Sequence, residues 1–241
     1  MEVDSTTQPQ DESSRNTALN QDSRNSAEGK EYFQTSPDGT KTRVTVSTND
    51  RAPDATNGNR AELHNNQFPA NQPNDFEAWV TVHEGHSFSV AQLLNFGTDG
   101  ASPDVMFTVE QGAAGQPNTL WVRGRSIPEP FDIGPIPADG RFKIEMKYDG
   151  ANGFTAQVYT GASEETKVPF GPPISGTLSG GGPLQFRTGI YYHGFNDTSS
   201  YPEGMEPITS TVDLDGASTA FQTTAEQPAQ DAGIYESGSS L

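Results

Sequence analysis

The chain has 241 residues, with 14 basic residues against 32 acidic ones for a net charge of −18, and it contains no cysteine. This balance argues against nucleic acid or an anionic membrane as partner, and the missing thiols rule out a disulfide framework and thiolate chemistry. No apolar run approaches the roughly 18 residues needed to span a bilayer, and the opening Met1-Glu2-Val3-Asp4 has neither the basic nor the apolar region of a secretory signal.

Residues 1–29 are mostly Ser, Thr, Asn, Gln, Asp and Glu with almost nothing to bury, and are expected to form a disordered leader. The character changes at Lys30. Tyr32-Phe33 and a turn at Pro37-Asp38-Gly39 precede an alternating strand over residues 42–46. A loop rich in Asn, Asp, Pro and Gly over residues 49–59 leads into Arg60-Ala61-Glu62-Leu63-His64. Further strands are expected over residues 76–83, 88–96, 105–110, 120–125, 142–148, 154–159, 184–193 and 208–214, separated by turn signals such as Thr98-Asp99-Gly100 and Gly180-Gly181-Gly182-Pro183. No stretch carries a sustained helical period. The pattern predicts one all-β domain, a β-sandwich, over residues 30–222, with a flexible tail over 223–241.

Successive side chains of a strand point to opposite faces. In the strand over residues 184–193, Leu184, Phe186, Thr188, Ile190 and Tyr192 form an apolar face suited to a core. Gln185, Arg187, Gly189, Tyr191 and His193 form the other, with a cation, a phenol and an imidazole in a row and a gap at Gly189. Residues 60–64 place Arg60, Glu62 and His64 together, and residues 120–125 do the same for Trp121, Arg123 and Arg125. In so acidic a protein, Arg residues beside aromatic and His side chains point to a local cationic groove for an anionic ligand, with Trp121 able to stack on a sugar ring. The alternative is that these Arg residues simply pair with surface carboxylates.

Other chemistries find little support. His83 and His86 are three apart but belong to no His-Glu-x-x-His helix, so no metal site is expected. No Gly-x-Ser-x-Gly elbow is present, and Gly180-Gly181-Gly182 lacks the Lys and following helix of a phosphate loop. A glycoside hydrolase needs two carboxylates about the scissile bond, and Glu62 is the one acid that falls on the groove face.

Two of these strands carry a family resemblance. Arg60-Ala61-Glu62-Leu63-His64 resembles the Arg-x-Glu-Leu-Arg strand of the alginate lyases of polysaccharide lyase family 7, and Phe186-Arg187-Thr188-Gly189-Ile190-Tyr191-Tyr192-His193 resembles their Tyr-Phe-Lys-Ala-Gly-x-Tyr-Asn-Gln strand. Ala91-Gln92-Leu93 falls where that family has its Gln-x-His strand, so the three motifs follow in the family's order. The resemblance implies a concanavalin-like β-jelly roll whose concave sheet binds an acidic polysaccharide, and β-elimination at a 4-linked uronic acid. It implies that Arg60 and Gln92 neutralise the substrate carboxylate and that Tyr191 acts as base, acid or both. Arg187 takes the place of the family's Lys. Binding roles are expected for Arg187, His193, Glu62, Trp121, Arg123 and Arg125.

The family's imidazole is replaced by Leu94, and either His64 or His193 is available to supply one. That substitution also leaves a non-catalytic carbohydrate-binding module as the alternative. Glucuronan lyases of family 20 share the jelly roll and a similar Arg, Gln, His and Tyr set, so the polymer is alginate, polymannuronate or glucuronan. The resemblance further implies a secreted monomer that needs no cofactor, with a structural Ca2+ left open.

Overall fold

A strand with every second residue apolar buries only one face, so it needs a second layer to cover it. The computed structural model, which describes residues 19–22, 32–47, 60–84, 87–97, 100–192 and 208–221, meets that need with two antiparallel sheets and, among the described residues, no helix. The strands are β1 (Asn20–Asp22), β2 (Phe33–Thr35), β3 (Lys41–Ser47), β4 (Arg60–His64), β5 (Asn74–Glu84), β6 (Phe88–Gly97) and β7 (Gly100–Glu110), then β8 (Thr119–Arg123), β9 (Phe131–Pro135), β10 (Arg141–Tyr148), β11 (Gly153–Thr160), β12 (Val168–Thr177), β13 (Leu184–Tyr191) and β14 (Thr209–Phe221). The first sheet runs β1-β4-β13-β6-β7-β8-β9 and the second β12-β11-β10-β5-β14-β3-β2. This is the jelly-roll sandwich expected from the strand pattern and the resemblance.

Between the sheets lies one continuous core. Phe186 of β13 stacks on Phe68 with ring centroids 5.5 Å apart and on Phe76 of β5 at 5.6 Å, so one side chain ties the two sheets together. Leu184, Phe186, Thr188, Ile190 and Tyr192 are all fully buried on the core face. Tyr192 can be buried there because its hydroxyl donates to Ser210 Oγ at 2.7 Å or to the Val46 carbonyl at 3.1 Å.

Several elements depart from the sequence expectation. Neither β9 nor β12 is visible in the alternation. Each is the last strand of its sheet, and β12 holds Pro169, Pro172 and Pro173, which an edge strand tolerates because its outer N–H groups need no partner. Asn20–Asp22, inside the stretch expected to be a loose leader, pairs with β4. At the other end of the chain, β14 continues past residue 214 to Phe221 through an irregularity between Asp215 and Ser218, where Gly216 takes φ 62°.

Replacing Phe186 with Ala should remove about 3–5 kcal/mol of stability, the usual cost of truncating a buried aromatic side chain. Urea unfolding of the two proteins measures it, and a loss below about 1 kcal/mol would contradict the role given to this ring.

Candidate active site

The strand register decides which side chains share the outer face of the first sheet. On β13 and β4, Arg187 lies opposite His64, Gly189 opposite Glu62, and Tyr191 opposite Arg60. On the other side of β13, Arg187 lies opposite Gln92 and Tyr191 opposite Ser89. The pairing continues through Met106 and Thr108 of β7 to Arg123 and Trp121 of β8. Two rows therefore cross five strands, one reading His64, Arg187, Gln92, Met106, Arg123 and the other Arg60, Tyr191, Ser89, Thr108, Trp121.

Strict alternation does not predict the β6 part of these rows. Ser89 and Gln92 are three residues apart and would fall on opposite faces of a regular strand. An irregularity between Ser89 and Ala91 resets the parity. Val90 and Ala91 both enter the core, and Ser89 and Gln92 both turn outward. This is why the strand reads as apolar on both faces.

The centre of the face is a bridge across a missing side chain. Glu62 and Gln92 belong to strands separated by β13, yet Gln92 Nε2 donates to Glu62 Oε1 at 2.5 Å. The two side chains meet over Gly189, where a Cβ would lie 2.3 Å from the Ala61 carbonyl oxygen and 2.8 Å from Glu62 Cα. Gly189 also adopts φ 146°, a conformation nearly closed to other residues. Glu62 Oε2 faces Arg187 Nη1 at 3.4 Å and Arg60 Nη1 at 3.9 Å. Glu62, Gln92 and Arg187 are all almost wholly buried. Burial pushes the Glu62 carboxyl above its ordinary range, against the pull of Arg187, Arg60 and the Gln92 amide.

Around this centre the remaining groups fall into place. The Arg60 guanidinium lies over the Tyr191 ring, 4.6 Å from its centroid. Arg187 Nε donates to Gln185 Oε1 at 2.9 Å, and Gln185 Nε2 reaches the Asn65 carbonyl at 2.8 Å and His64 Nδ1 at 3.0 Å. The Arg60, Gln92 and Tyr191 expected from the resemblance thus share one face, with His64, Glu62 and Arg187 among them. Gln185 and Asn65 were not expected to matter, although Gln185 shares the alternating face with Arg187. Leu94 also belongs here, opposite Gln185 and almost completely covered.

The expected binding residues farther along separate. Trp121 and Arg123 continue the two rows, with Trp121 Nε1 bonded to Thr119 Oγ1 at 3.0 Å and Arg123 Nη2 to Glu110 Oε1 at 2.6 Å. Beside them, Thr108 Oγ1 is buried with no hydrogen-bond partner among the described residues. Arg125 leaves the row. β8 ends at Arg123, Gly124 turns the chain with φ 140°, and Arg125 Nε lies 3.6 Å from the buried carboxylate of Asp104. His193 lies outside the described residues, as does His86. Among the described residues no group of three or more His, Asp or Glu is placed to hold a metal ion.

The outer face of the second sheet makes a useful contrast. A recess of ≈ 260 Å³ there is lined by Glu77, Glu145, Glu164, Lys147 and Lys167 among others. Lys143, buried beside it, is held by Glu164 at 2.6 Å, Glu77 at 2.9 Å and Glu145 at 3.0 Å. Lys167 is held by Glu145 and Glu164 in turn. These two cations are consumed by carboxylates. On the first sheet, among the described residues, the Arg60 and Arg187 guanidiniums both lie beside Glu62.

No protein-family model matches this sequence, and no curated protein matches it. Its fold matches solved structures. An alginate lyase of Pseudomonas aeruginosa superposes with a TM-score of 0.60 at 16% identity, covering 80% of this chain and 87% of that one. An Alteromonas alginate lyase gives 0.52 at 15% identity, covering 78% and 90%. An exolytic family 7 alginate lyase of Zobellia galactanivorans gives 0.51 at 10% identity, covering 80% and 88%. At these identities the likeness establishes the jelly-roll fold.

Two predictions test the bridge. Ala at position 189 should lower stability by about 1–3 kcal/mol through backbone strain alone, and an unchanged urea midpoint would contradict the close approach. Glu62→Gln tests the raised carboxyl. A group raised in the folded state contributes stability below its unfolded pKa and loses it as pH rises through the folded value. The variant escapes that loss, so its stability relative to the parent should improve from acid to neutral pH. A constant or opposite difference would show that Glu62 is not raised.

Proposed function

We propose that the protein is a polysaccharide lyase that cleaves a 4-linked polyuronate by β-elimination. The observation that carries this reading is the meeting of Arg60, Gln92 and Tyr191 on one outer sheet face, with the Arg60 guanidinium over the Tyr191 ring. The jelly-roll likeness to alginate lyases supports it.

The chemistry suits these side chains. The proton at C5 of a uronate is weakly acidic, and negative charge builds on the neighbouring carboxylate as that proton leaves. The Arg60 guanidinium and the Gln92 amide are fixed donors that can meet this charge in a largely buried setting, where they act more strongly than in water. Tyr191 takes the C5 proton as the C4–O bond breaks, the C4–C5 double bond forms, and the departing oxygen is protonated. One phenol serves both transfers only when the C5 proton and the C4 oxygen lie on the same side of the ring. Polymannuronate and glucuronan therefore fit better than polyguluronate. Trp121 and Arg123, farther along the two rows, would hold neighbouring sugars. Such a polymer is too large to enter a cell, so the enzyme would act outside it, as a monomer.

One observation favours a second reading, a non-catalytic module for acidic polysaccharides. Leu94 stands where the family resemblance expects an imidazole, and the Gln92 amide is already engaged by Glu62.

The assay is incubation with polymannuronate, alginate and glucuronan. The lyase reading predicts rising ultraviolet absorbance from unsaturated uronate ends, while binding without that rise selects the second reading. Tyr191→Phe should lower kcat by about a hundredfold or more, the usual worth of a general acid–base, with binding retained. Activity should first rise with salt, because screening over about 8 Å at 0.15 M weakens repulsion between an acidic protein and a polyanion. A monotonic fall from low ionic strength would contradict that account.

A further inference from the structure

We propose that Thr188 is a positioning residue whose hydroxyl, on the core side of β13, secures the irregularity in β6 that turns Gln92 onto the outer face. Thr188 stands between Phe186 and Ile190 in the apolar file of β13 and is wholly buried. A buried hydroxyl needs a partner, and this one donates to the Val90 carbonyl oxygen at 2.9 Å. Val90 is the residue that the irregularity inserts. Its neighbours Ser89 and Ala91 pair with Thr108 and Phe107 of β7 and with Tyr191 and Thr188 of β13, while Val90 is matched with no residue of either strand.

An inserted residue disrupts the ladder on its strand, and a buried backbone carbonyl there still requires a donor. Thr188 supplies one from its side chain. The matching break on β13 falls at Gly189 and Ile190, which pair with Glu62 and Ala61 of β4 but take no place in the register with β6. Consecutive residues of β13 thus serve the bridge from opposite faces. Thr188 holds the inserted Val90 on the core side, and Gly189 leaves the space on the outer side where Gln92 meets Glu62. Without the insertion the two-residue period running on from Ser89 would turn Gln92 into the core. If the lyase reading holds, on which this consequence rests, Thr188 sets the Gln92 amide against the sugar carboxylate without touching the sugar.

The side-chain amide protons of Gln92 report its position by NMR, with Gln92→Leu identifying the signals. In the parent protein one of them, bonded to Glu62, should be shifted from free-amide values and exchange slowly. Thr188→Val keeps the side-chain shape and removes the donor, whereas Thr188→Ser keeps the donor. Thr188→Val should move the Gln92 signals toward free-amide values and lower kcat on polymannuronate about tenfold to a hundredfold, the scale of a small misplacement. Thr188→Ser should keep both near the parent's, and in a Gln92→Leu background Thr188→Val should add no further loss of kcat. If Thr188 only stabilised the fold, Thr188→Val would lower the urea midpoint and leave the Gln92 signals in place, and that result overturns the proposal. So does a Thr188→Ser protein as impaired as Thr188→Val. Should Thr188→Val not fold, the parent decides: its Thr188 hydroxyl proton should appear as a slowly exchanging signal, and a freely exchanging one overturns the proposal. A protein with the expected Gln92 signals and Thr188 responses that cleaves no polyuronate leaves Thr188 in its role and removes the lyase reading.

Discussion

The outer face of the first sheet depends on one buried carboxylate reaching across an absent side chain. Glu62 sits on β4 and Gln92 on β6, and a sheet normally keeps side chains two strands apart from touching. Gly189 on the strand between them opens the space, and its positive φ lets the Ala61 carbonyl approach where a Cβ would stand. Burying a carboxylate is costly unless it is paired and hydrogen-bonded. Here Arg187, Arg60 and the Gln92 amide surround it, so each of these groups is held by the need to satisfy Glu62. Their alignment is thus built into the floor and does not wait for a ligand.

The charges are also arranged differently on the two sheets. Many of the described cations are paired where they stand, as in the Lys143 and Lys167 mesh on the second sheet or the Arg43 pair with Asp213. On the first sheet, among the described residues, Glu62 lies beside two guanidiniums, those of Arg60 and Arg187. The local field at Tyr191 is set by these near groups, while the net charge of the whole molecule acts at distances that salt screens.

Much of this was legible in the residues. The alternation in β13 assigned Phe186, Ile190 and Tyr192 to the core and Arg187 and Tyr191 to the outer face, and β13 keeps that alternation, pairing in unbroken register with β4. Gln92 was not legible from alternation, since the irregularity at Val90 breaks the two-residue period that such reasoning assumes. Arg125 misled for the opposite reason. Its spacing fits the pattern of Trp121 and Arg123, but Gly124 ends the strand and Asp104 captures the guanidinium. β9 and β12 escaped notice because edge strands need neither alternation nor freedom from proline. Gln185 was placed on the correct face, yet its part in the network follows from hydrogen bonds that only coordinates reveal.

The most direct test of the central claim is a crystal structure of Tyr191→Phe with a mannuronate tetrasaccharide bound. The account predicts one sugar carboxylate in contact with both the Arg60 guanidinium and the Gln92 amide, the ring of residue 191 beside C5 of the same sugar, and neighbouring sugars running toward Trp121. An oligosaccharide bound to a different face, or with its carboxylates turned away from Arg60 and Gln92, would contradict it.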